Sequence, residues 1–433
     1  MIKLVLLILI LFLNNCSMDS KSGMWSEVKE KKNIKSQEKI LFEKRKTLNK
    51  EFNPNVKIAL KNNYDLSSFN NNLTNNNQIL NYDGVLDQIS KYKFSKIARF
   101  NLINSQITIT ENDELIFFDG KGNIFKLNKN LRLIWKKNLY TKKEKKLNPI
   151  LNISYSKGKI IVTDNLSNYF LVDGNSGEIL WKKKNSSLFN SQIKIVNNYF
   201  FSIDFDNIFR CYSIENGKEV WKYESQSSFI KSKRALSIVS DGEKIFFINS
   251  IGEITALSLN NGNLLWQTPT QSSSIIEDSF TVVFSDLVLN DKKIYLSNNK
   301  NELIQVDANN GIIMWTQNIS STVRPAIIEK LIFTISMNGY LVIMDKNTGN
   351  ILRSTLITKN LKKYQKKKFE PSGFVIAKNN LYLTLSDGNL LKIKVINGKV
   401  ENLIKVDNNY ISRPVILKKQ MYIVSDNVIK KFN

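Results

Sequence analysis

From about residue 98 onward, short apolar runs alternate with polar turns at a regular beat. One unit reads Gly158-Lys159-Ile160-Ile161-Val162-Thr163-Asp164, then Asn168-Tyr169-Phe170-Leu171-Val172-Asp173, then Gly177-Glu178-Ile179-Leu180-Trp181. Runs of this length, rich in β-branched and aromatic residues and bounded by turn formers, predict three strands of a meander. A fourth run precedes each copy, as Gln192-Ile193-Lys194-Ile195-Val196 does for the next one. Each unit is therefore predicted to be one four-stranded antiparallel sheet.

The unit endings align best. They are Asn130-Leu131-Arg132-Leu133-Ile134-Trp135, Ser176-Gly177-Glu178-Ile179-Leu180-Trp181, Asn216-Gly217-Lys218-Glu219-Val220-Trp221, Asn261-Gly262-Asn263-Leu264-Leu265-Trp266 and Asn310-Gly311-Ile312-Ile313-Met314-Trp315. Two degenerate copies follow, Thr348-Gly349-Asn350-Ile351-Leu352-Arg353 and Asn397-Gly398-Lys399-Val400-Glu401-Asn402. Asn-Gly or Ser-Gly supplies the positive φ of a tight hairpin, and the last strand then alternates. Five tryptophans in one register are read as packing elements between sheets, not as cofactor contacts. The endings at 135, 181, 221, 266, 315, 353 and 402 lie 38 to 49 residues apart. Four strands per unit at that period is the requirement of a β-propeller. After the seventh ending, residues 403–433 supply only three strands, around Pro414–Leu417, Met421–Ser425 and Val428–Phe432. The segment Ile89–Phe94 is placed to lend the fourth, which predicts an all-β, eight-bladed propeller closed by an N-terminal strand.

Composition narrows the chemistry. The 433 residues contain no histidine, which removes Ser-His and Cys-His nucleophile pairs, imidazole bases and ordinary His-ligated metals. Turn carboxylates such as Asp173, Asp307 and Asp345 are explained by hairpin geometry. No convergent acidic set stands apart from them, so the reading assigns no catalytic residue, no metal and no cofactor. The net charge of +25 has two readings, a polyanion-binding surface or a general excess of Lys. The densest basic stretches, Lys142–Lys146 and Lys362–Lys368, read as solvated loops and lack the alternating aromatics of a single-strand binder, so no nucleic-acid partner is assigned.

The N-terminus has a different pattern. Met1–Lys3 is a short basic start and Leu4–Leu13 an unbroken apolar run, too short to span a bilayer but of signal-peptide length. Leu13-Asn14-Asn15-Cys16-Ser17 resembles a bacterial lipobox, with Asn15 departing from the usual Gly or Ala. The resemblance implies a signal peptide over 1–15, cleavage before Cys16 and lipidation of its thiol. With Ser17 in place of a retaining Asp, it also implies the periplasmic face of the outer membrane. Acyl chains would hold the protein there at about 0.8 kcal/mol per buried methylene. Residues 16–85 read as a tether, partly helical over Glu27–Lys50 and Asn-rich over Asn70–Asn77, and 86–433 as the propeller. Cys211, in the strand-like run Ile208–Tyr212, reads as a free buried thiol, so no disulfide framework is predicted.

The Asp-x-x-x-Gly-x-x-x-Trp register of Asp173, Gly177 and Trp181, repeated at Asp307, Gly311 and Trp315, resembles the pyrroloquinoline-quinone (PQQ)-type propeller repeat. That family includes quinoprotein dehydrogenases and a non-enzymatic branch, the BamB-type lipoproteins of outer-membrane β-barrel assembly. The dehydrogenase branch implies a quinone in the central funnel, a cation and a catalytic Asp; its alcohol dehydrogenases also carry two adjacent cysteines, which this chain lacks. The lipobox, the blade count and the missing constellation favour the assembly branch. In that branch two neighbouring interblade loops on one rim grip the barrel-inserting subunit, and unfolded outer-membrane proteins are further partners. The corresponding loops follow Trp221 and Trp266, with Phe229, Ile230, Lys233 and Arg234 in the first and Ile276, Glu277 and Asp278 in the second. Phe229 and Ile230 have a second reading, the start of the next inner strand. Arg324-Pro325 and Arg413-Pro414 open inner strands, with arginines that either serve that opening or face the channel and attract an anion.

Overall fold

The computed structural model describes residues 47–60, 73–76, 79–103, 107–226, 231–270 and 282–433. Eight four-stranded antiparallel sheets make up the fold. Seven are consecutive meanders; blade 3, for example, runs Lys194–Val196, Tyr199–Ile203, Ile208–Ser213 and Glu219–Glu224. The eighth is composite. Val415–Leu417, Gln420–Val424 and Val428–Phe432 are completed by Gln88–Lys93, which pairs antiparallel with the last of them in the register Lys93↔Val428 and Lys91↔Lys430. The N-terminal strand thus closes the ring as the sequence predicts, and joining the chain's two ends removes the open seam a propeller would otherwise carry.

The first strand of each blade is innermost. First strands of neighbouring blades touch one another around the axis, and most of their residues are buried. Fourth strands lie outside and alternate between exposed and half-buried positions. Antiparallel order then places the interblade connections and the second-to-third-strand turns on one rim, here the connection rim. The Asn-Gly hairpins lie on the opposite rim.

Adjacent blades are latched by the tryptophan register. Outer strands bulge just after the hairpin: Trp266 pairs with Ala256 and Leu264 with Leu257, so Leu265 is the extra residue. The same bulge recurs in the other six consecutive blades. It adds one position and brings the indole onto the face turned toward the next blade. Trp181 Nε1 donates to Ile214 O at 2.9 Å, Trp266 Nε1 to Ala308 O at 3.1 Å and Trp315 Nε1 to Lys346 O at 3.3 Å. Each indole also covers the hairpin glycine of the following blade. At Gly262 a Cβ would stand 2.4 Å from Trp221, and the backbone there has φ +73°. Both the close approach and the left-handed conformation demand glycine.

Blade 6 lacks the tryptophan, and Arg353 takes its place. This arginine is fully buried. Its Nη2 donates to Val395 O at 2.6 Å, the counterpart of Ile214 and Ala308, and its Nη1 to Ile396 O at 2.5 Å and Val56 O at 3.0 Å. Burial draws its pKa down to about 10. The carbonyl of Val56 belongs to an N-terminal strap, in which Phe52 bridges Ser354 on the outer strand of the same blade and Ile58 N donates to Ile396 O at 3.1 Å. Arg353 therefore performs the indole's hydrogen bond and also ties the strap to the ring.

Cys211 is a free, buried thiol, and burial pushes its pKa up to about 12. This agrees with the reading of an inert core residue.

Two outcomes are expected. Gly262→Ala should destabilise the protein by about 1–3 kcal/mol in urea unfolding, because it adds a clash with Trp221 to an unfavourable φ. Asp387 supplies an acid limit. Burial alone would raise its pKa, but hydrogen bonds from Lys363 and Asn389 outweigh that and hold it at about 2. A carboxyl lowered on folding stabilises the native state above its unfolded value and loses that contribution as pH falls through the folded one. Wild-type stability should therefore fall between about pH 4 and pH 2, and the fall should be shallower in Asp387→Asn, followed by denaturant titration across that range.

Candidate functional site: the connection rim and the channel it surrounds

The inner edge of each first strand would leave a row of backbone groups unpaired along the axis. The chain meets part of this need with its own N-terminal segment. Ser240 N donates to Leu73 O at 2.9 Å in blade 4, and Leu289 N to Thr74 O at 2.9 Å in blade 5. In blade 6, Asn76 Nδ2 donates to Ile327 O at 3.2 Å. In blade 7, Leu80 N donates to Ile376 O at 2.9 Å and Lys378 N to Leu80 O at 3.0 Å. The described parts of residues 73–80 thus form a collar around the inside of four successive blades. Asn75, in a stretch whose composition reads as a spacer, is 3% exposed. Its Nδ2 lies within 3.0–3.3 Å of Gln192 Oε1, Ser237 Oγ, Ile238 O and Leu287 O.

Toward the connection rim, charged side chains from four blades meet beside this collar. Lys194 Nζ donates to Asn75 Oδ1 at 2.8 Å. Arg324 Nη1 donates to Asn75 O at 3.4 Å, its Nε to Asp286 Oδ2 at 2.8 Å, and its Nη2 to the same carboxylate oxygen. Arg413 belongs to the cluster electrostatically. Burial and then repulsion from Arg324 hold its pKa well below the usual arginine value, with Asp286 opposing. Burial would raise Asp286, but Arg324 outweighs it, with Arg413 and Lys194 adding to the effect, and the carboxyl stays below its usual range. Lys194 is drawn down to about 7, first by burial and then by Arg324.

Two connections singled out from the sequence flank blade 4 in chain order, and residues 231–234 of the first are described. Lys233 is exposed and Arg234 half-buried. Asn190 Nδ2 donates to Ser232 O at 2.9 Å and Ser232 Oγ to Arg234 O at 2.7 Å, which fixes the inner part of the first connection. The charge of Arg234 reaches across the channel mouth. Glu370, beside the opening strand of blade 7, is held below the usual carboxylate range first by a Lys368 hydrogen bond and more weakly by Arg234. Burial raises Tyr410, just before blade 8, and Arg234 opposes it. Phe229, Ile230, Ile276, Glu277, Asp278 and Cys16 lie outside the described residues. From its strand opening Arg324 meets the collar at Asn75 O, and the stem of Arg413 lies against Gly373.

Sequence reasoning missed Asn75, Lys194 and Asp286 as members of this cluster. A signal existed for two of them. Lys194 is the one charge in an otherwise apolar inner-strand run, and Asp286, Arg324 and Arg413 each stand two positions before the first residue of an inner strand. Asn75 carries no such signal. Among the described residues, no three Cys, Asp or Glu side chains come together as a metal site would need.

The family described as outer membrane protein assembly factor BamB matches residues 101–355, more than half of the chain and most of its blades. The chain belongs to the BamB family. No curated protein sequence matches it. Among solved structures it is similar to BamB from Moraxella catarrhalis, with a TM-score of 0.65 at 16% identity over 81% of this chain and 100% of that one. It is also similar to quinohemoprotein alcohol dehydrogenase from Comamonas testosteroni, with a TM-score of 0.63 at 9% identity over 82% of this chain and 78% of that one. A computationally designed protein, Ika8, gives 0.61 at 10% identity over 81% and 99%. At these identities the structural likenesses show a shared fold. The BamB-family ring carries its collar as part of that fold, and Asn75 pins the two together. Replacing Asn75 by Ala takes an acceptor from buried Lys194 and a donor from several buried acceptors. The loss expected in urea unfolding is about 1–3 kcal/mol.

Proposed function

We propose that this BamB-family propeller is a non-enzymatic scaffold in outer-membrane β-barrel assembly, held at the periplasmic face of the outer membrane by lipid on Cys16. It presents the two connections flanking blade 4 to the barrel-inserting subunit, and further rim surface to unfolded client proteins. The observation that carries this reading is the family match over residues 101–355, which includes both connections. Two features of the ring support it. The described collar residues 73–76 and 79–80 lie inside the channel, where the quinone-type reading needs an open funnel, and Arg234 is held at the mouth by bonded backbone. A half-buried Arg beside an exposed Lys offers a partner both a fixed and an adaptable cation.

The similarity to a quinohemoprotein dehydrogenase keeps a second reading in view. Reconstitution with calcium and PQQ should give no dye reduction on alcohols or sugars, and sustained turnover would replace the scaffold reading with catalysis.

The scaffold reading is tested by affinity purification of the tagged full-length chain from envelope membranes. Wild type should retain the barrel-inserting subunit. The pair Lys233→Glu and Arg234→Glu should lower its recovery about tenfold, equivalent to about 1.4 kcal/mol. Equal recovery with a correctly folded double variant would move the interface elsewhere, and absence of the subunit from wild-type eluates would sink the reading.

A further inference from the structure

The outermost strands divide the circumference of the ring by charge. In three successive blades, 8, 1 and 2, they are Gln88–Lys93, Leu133–Asn138 and Ile179–Lys184, and together these hold seven lysines and no carboxylate. The other five outer strands hold three cations, Lys222, Arg353 and Lys405, against three carboxylates, Glu219, Glu224 and Glu401. The three basic strands stand side by side. Tyr92 packs on Phe125 of blade 1 with ring centroids 5.0 Å apart, and a Cβ on Gly177 of blade 2 would stand 2.8 Å from Lys137 Cγ. Of the seven lysines, Lys136 meets Asp119 at 3.0 Å and Lys182 meets Glu144 at 3.3 Å. Among the described residues the other five, Lys91, Lys93, Lys137, Lys183 and Lys184, have no ion pair, and all but the half-buried Lys183 are exposed.

Each of these strands also exposes aliphatic side chains before its lysines. Ile89 is 49% exposed, Leu133 49% and Leu180 55%. Register sets them at a common height, because Lys93 pairs with the start of the preceding strand at Val428 as Lys184 does at Asn168. The short helix Lys142–Lys145, between blades 1 and 2, extends the basic band, since its Glu144 is the residue that Lys182 reaches and Leu147 just beyond it is exposed. Exposed aliphatic residues recur on other outer strands, as Leu264, Leu265 and Met314, but no charged side chain accompanies them on those strands. Like charges crowded beside apolar groups in water are relieved by a counter-surface that is anionic outside and apolar beneath. The kind of cation points the same way. Lysines are flexible point charges suited to a diffuse field of headgroups, whereas protein interfaces deplete lysine and rely on arginine forks and aromatic anchors. These strands contain no arginine, and Tyr92, Trp135 and Trp181 are turned to neighbouring blades.

We propose that this edge of the ring, formed by the outer strands of blades 8, 1 and 2, docks on the surface of a bilayer containing anionic phospholipid. The lysines sit among the headgroups, and the aliphatic side chains reach the boundary of the acyl region. The ring then stands edge-on to the membrane. Blade 4, with Lys233 and Arg234 in the connection before it, lies two blades beyond blade 2 and stays available to a protein partner. From the scaffold reading the proposal takes only that the protein meets a membrane, so vesicle binding and recovery of the barrel-inserting subunit can each succeed or fail without the other.

The test is cosedimentation of the full-length chain carrying Cys16→Ser, which excludes an acyl anchor, with vesicles of phosphatidylcholine alone and of equal parts phosphatidylcholine and phosphatidylglycerol. The readout is the ratio of the two binding constants, in which the shared apolar run Leu4–Leu13 cancels. The otherwise unaltered chain should favour anionic vesicles at least about tenfold, and added salt should erode that preference. Lys91→Gln with Lys137→Gln and Lys184→Gln should lower the preference at least about fivefold. Lys218→Gln with Lys292→Gln and Lys399→Gln removes the same charge from blades 3, 5 and 7 and should change it less than about twofold. Leu133→Ser with Leu180→Ser should weaken binding to anionic vesicles at least about threefold. The proposal is overturned if the unaltered face shows no anionic preference, if both lysine triples lose it equally, or if the folded face triple or the leucine pair binds as the parent does. It is also overturned if the face triple keeps vesicle binding but loses capture on immobilised polyglutamate, which would assign the face to an acidic protein. Should the face triple fail to fold, the leucine pair and the parent chain still decide the matter.

Discussion

Blades 1 to 5 of this ring are each held to the next by an aromatic ring resting on a hairpin backbone. The indole of one outer strand covers the glycine of the following hairpin and donates its N–H to a carbonyl beside it. The remaining order follows from that contact. A bulge is needed to turn the indole toward its neighbour, a glycine is needed to let it approach, and the hairpin must stand at a fixed height for the hydrogen bond to form. Each side of the latch depends on the other, so the blade spacing is set locally and repeats without any long-range instruction. Arg353 marks the limit of this rule. Where the indole is missing, a guanidinium makes the same bond through Nη2, and its Nη1 donates both to the neighbouring blade at Ile396 O and to the N-terminal strap at Val56 O.

The centre of the ring is governed by a different constraint. Inner strands expose an unpaired edge toward the axis, and the chain answers with the described residues 73–76 and 79–80, laid across four of them. This collar changes the character of the channel. An open funnel lined by backbone edges would suit a flat cofactor, whereas here the described collar residues occupy those edges in four blades. The charges that gather there, from Lys194 to Arg413, are drawn from blades far apart in sequence.

How much of the site was legible depended on whether its signal was periodic. Arg324 and Arg413 stood out because each precedes a proline at a strand opening, and their column contains Asp286 as well. Lys194 broke an apolar run and could have been noticed for that reason. Asn75 could not. It lies in a stretch of asparagines whose composition promises little burial, and its importance comes from a partner 119 positions away. Lys233 and Arg234 were chosen for their loop. The reach of Arg234 toward Glu370 and Tyr410 became visible only when blades 4, 7 and 8 were arranged around one axis.

The sequence by itself determined the fold class, the number of blades and the closing strand, because a repeat writes the same local physics many times. Hairpin glycines, alternating strands and a tryptophan in fixed register leave few other solutions, and a last unit one strand short requires the N-terminus to complete it. Only the tertiary structure decided where the described residues 47–60, 73–76 and 79–80 go and which charges share the axis. Those contacts join residues hundreds of positions apart, such as Val56 with Arg353, and occur once each. A single contact leaves no periodic trace along the chain, so it could be read only after the ring had been closed.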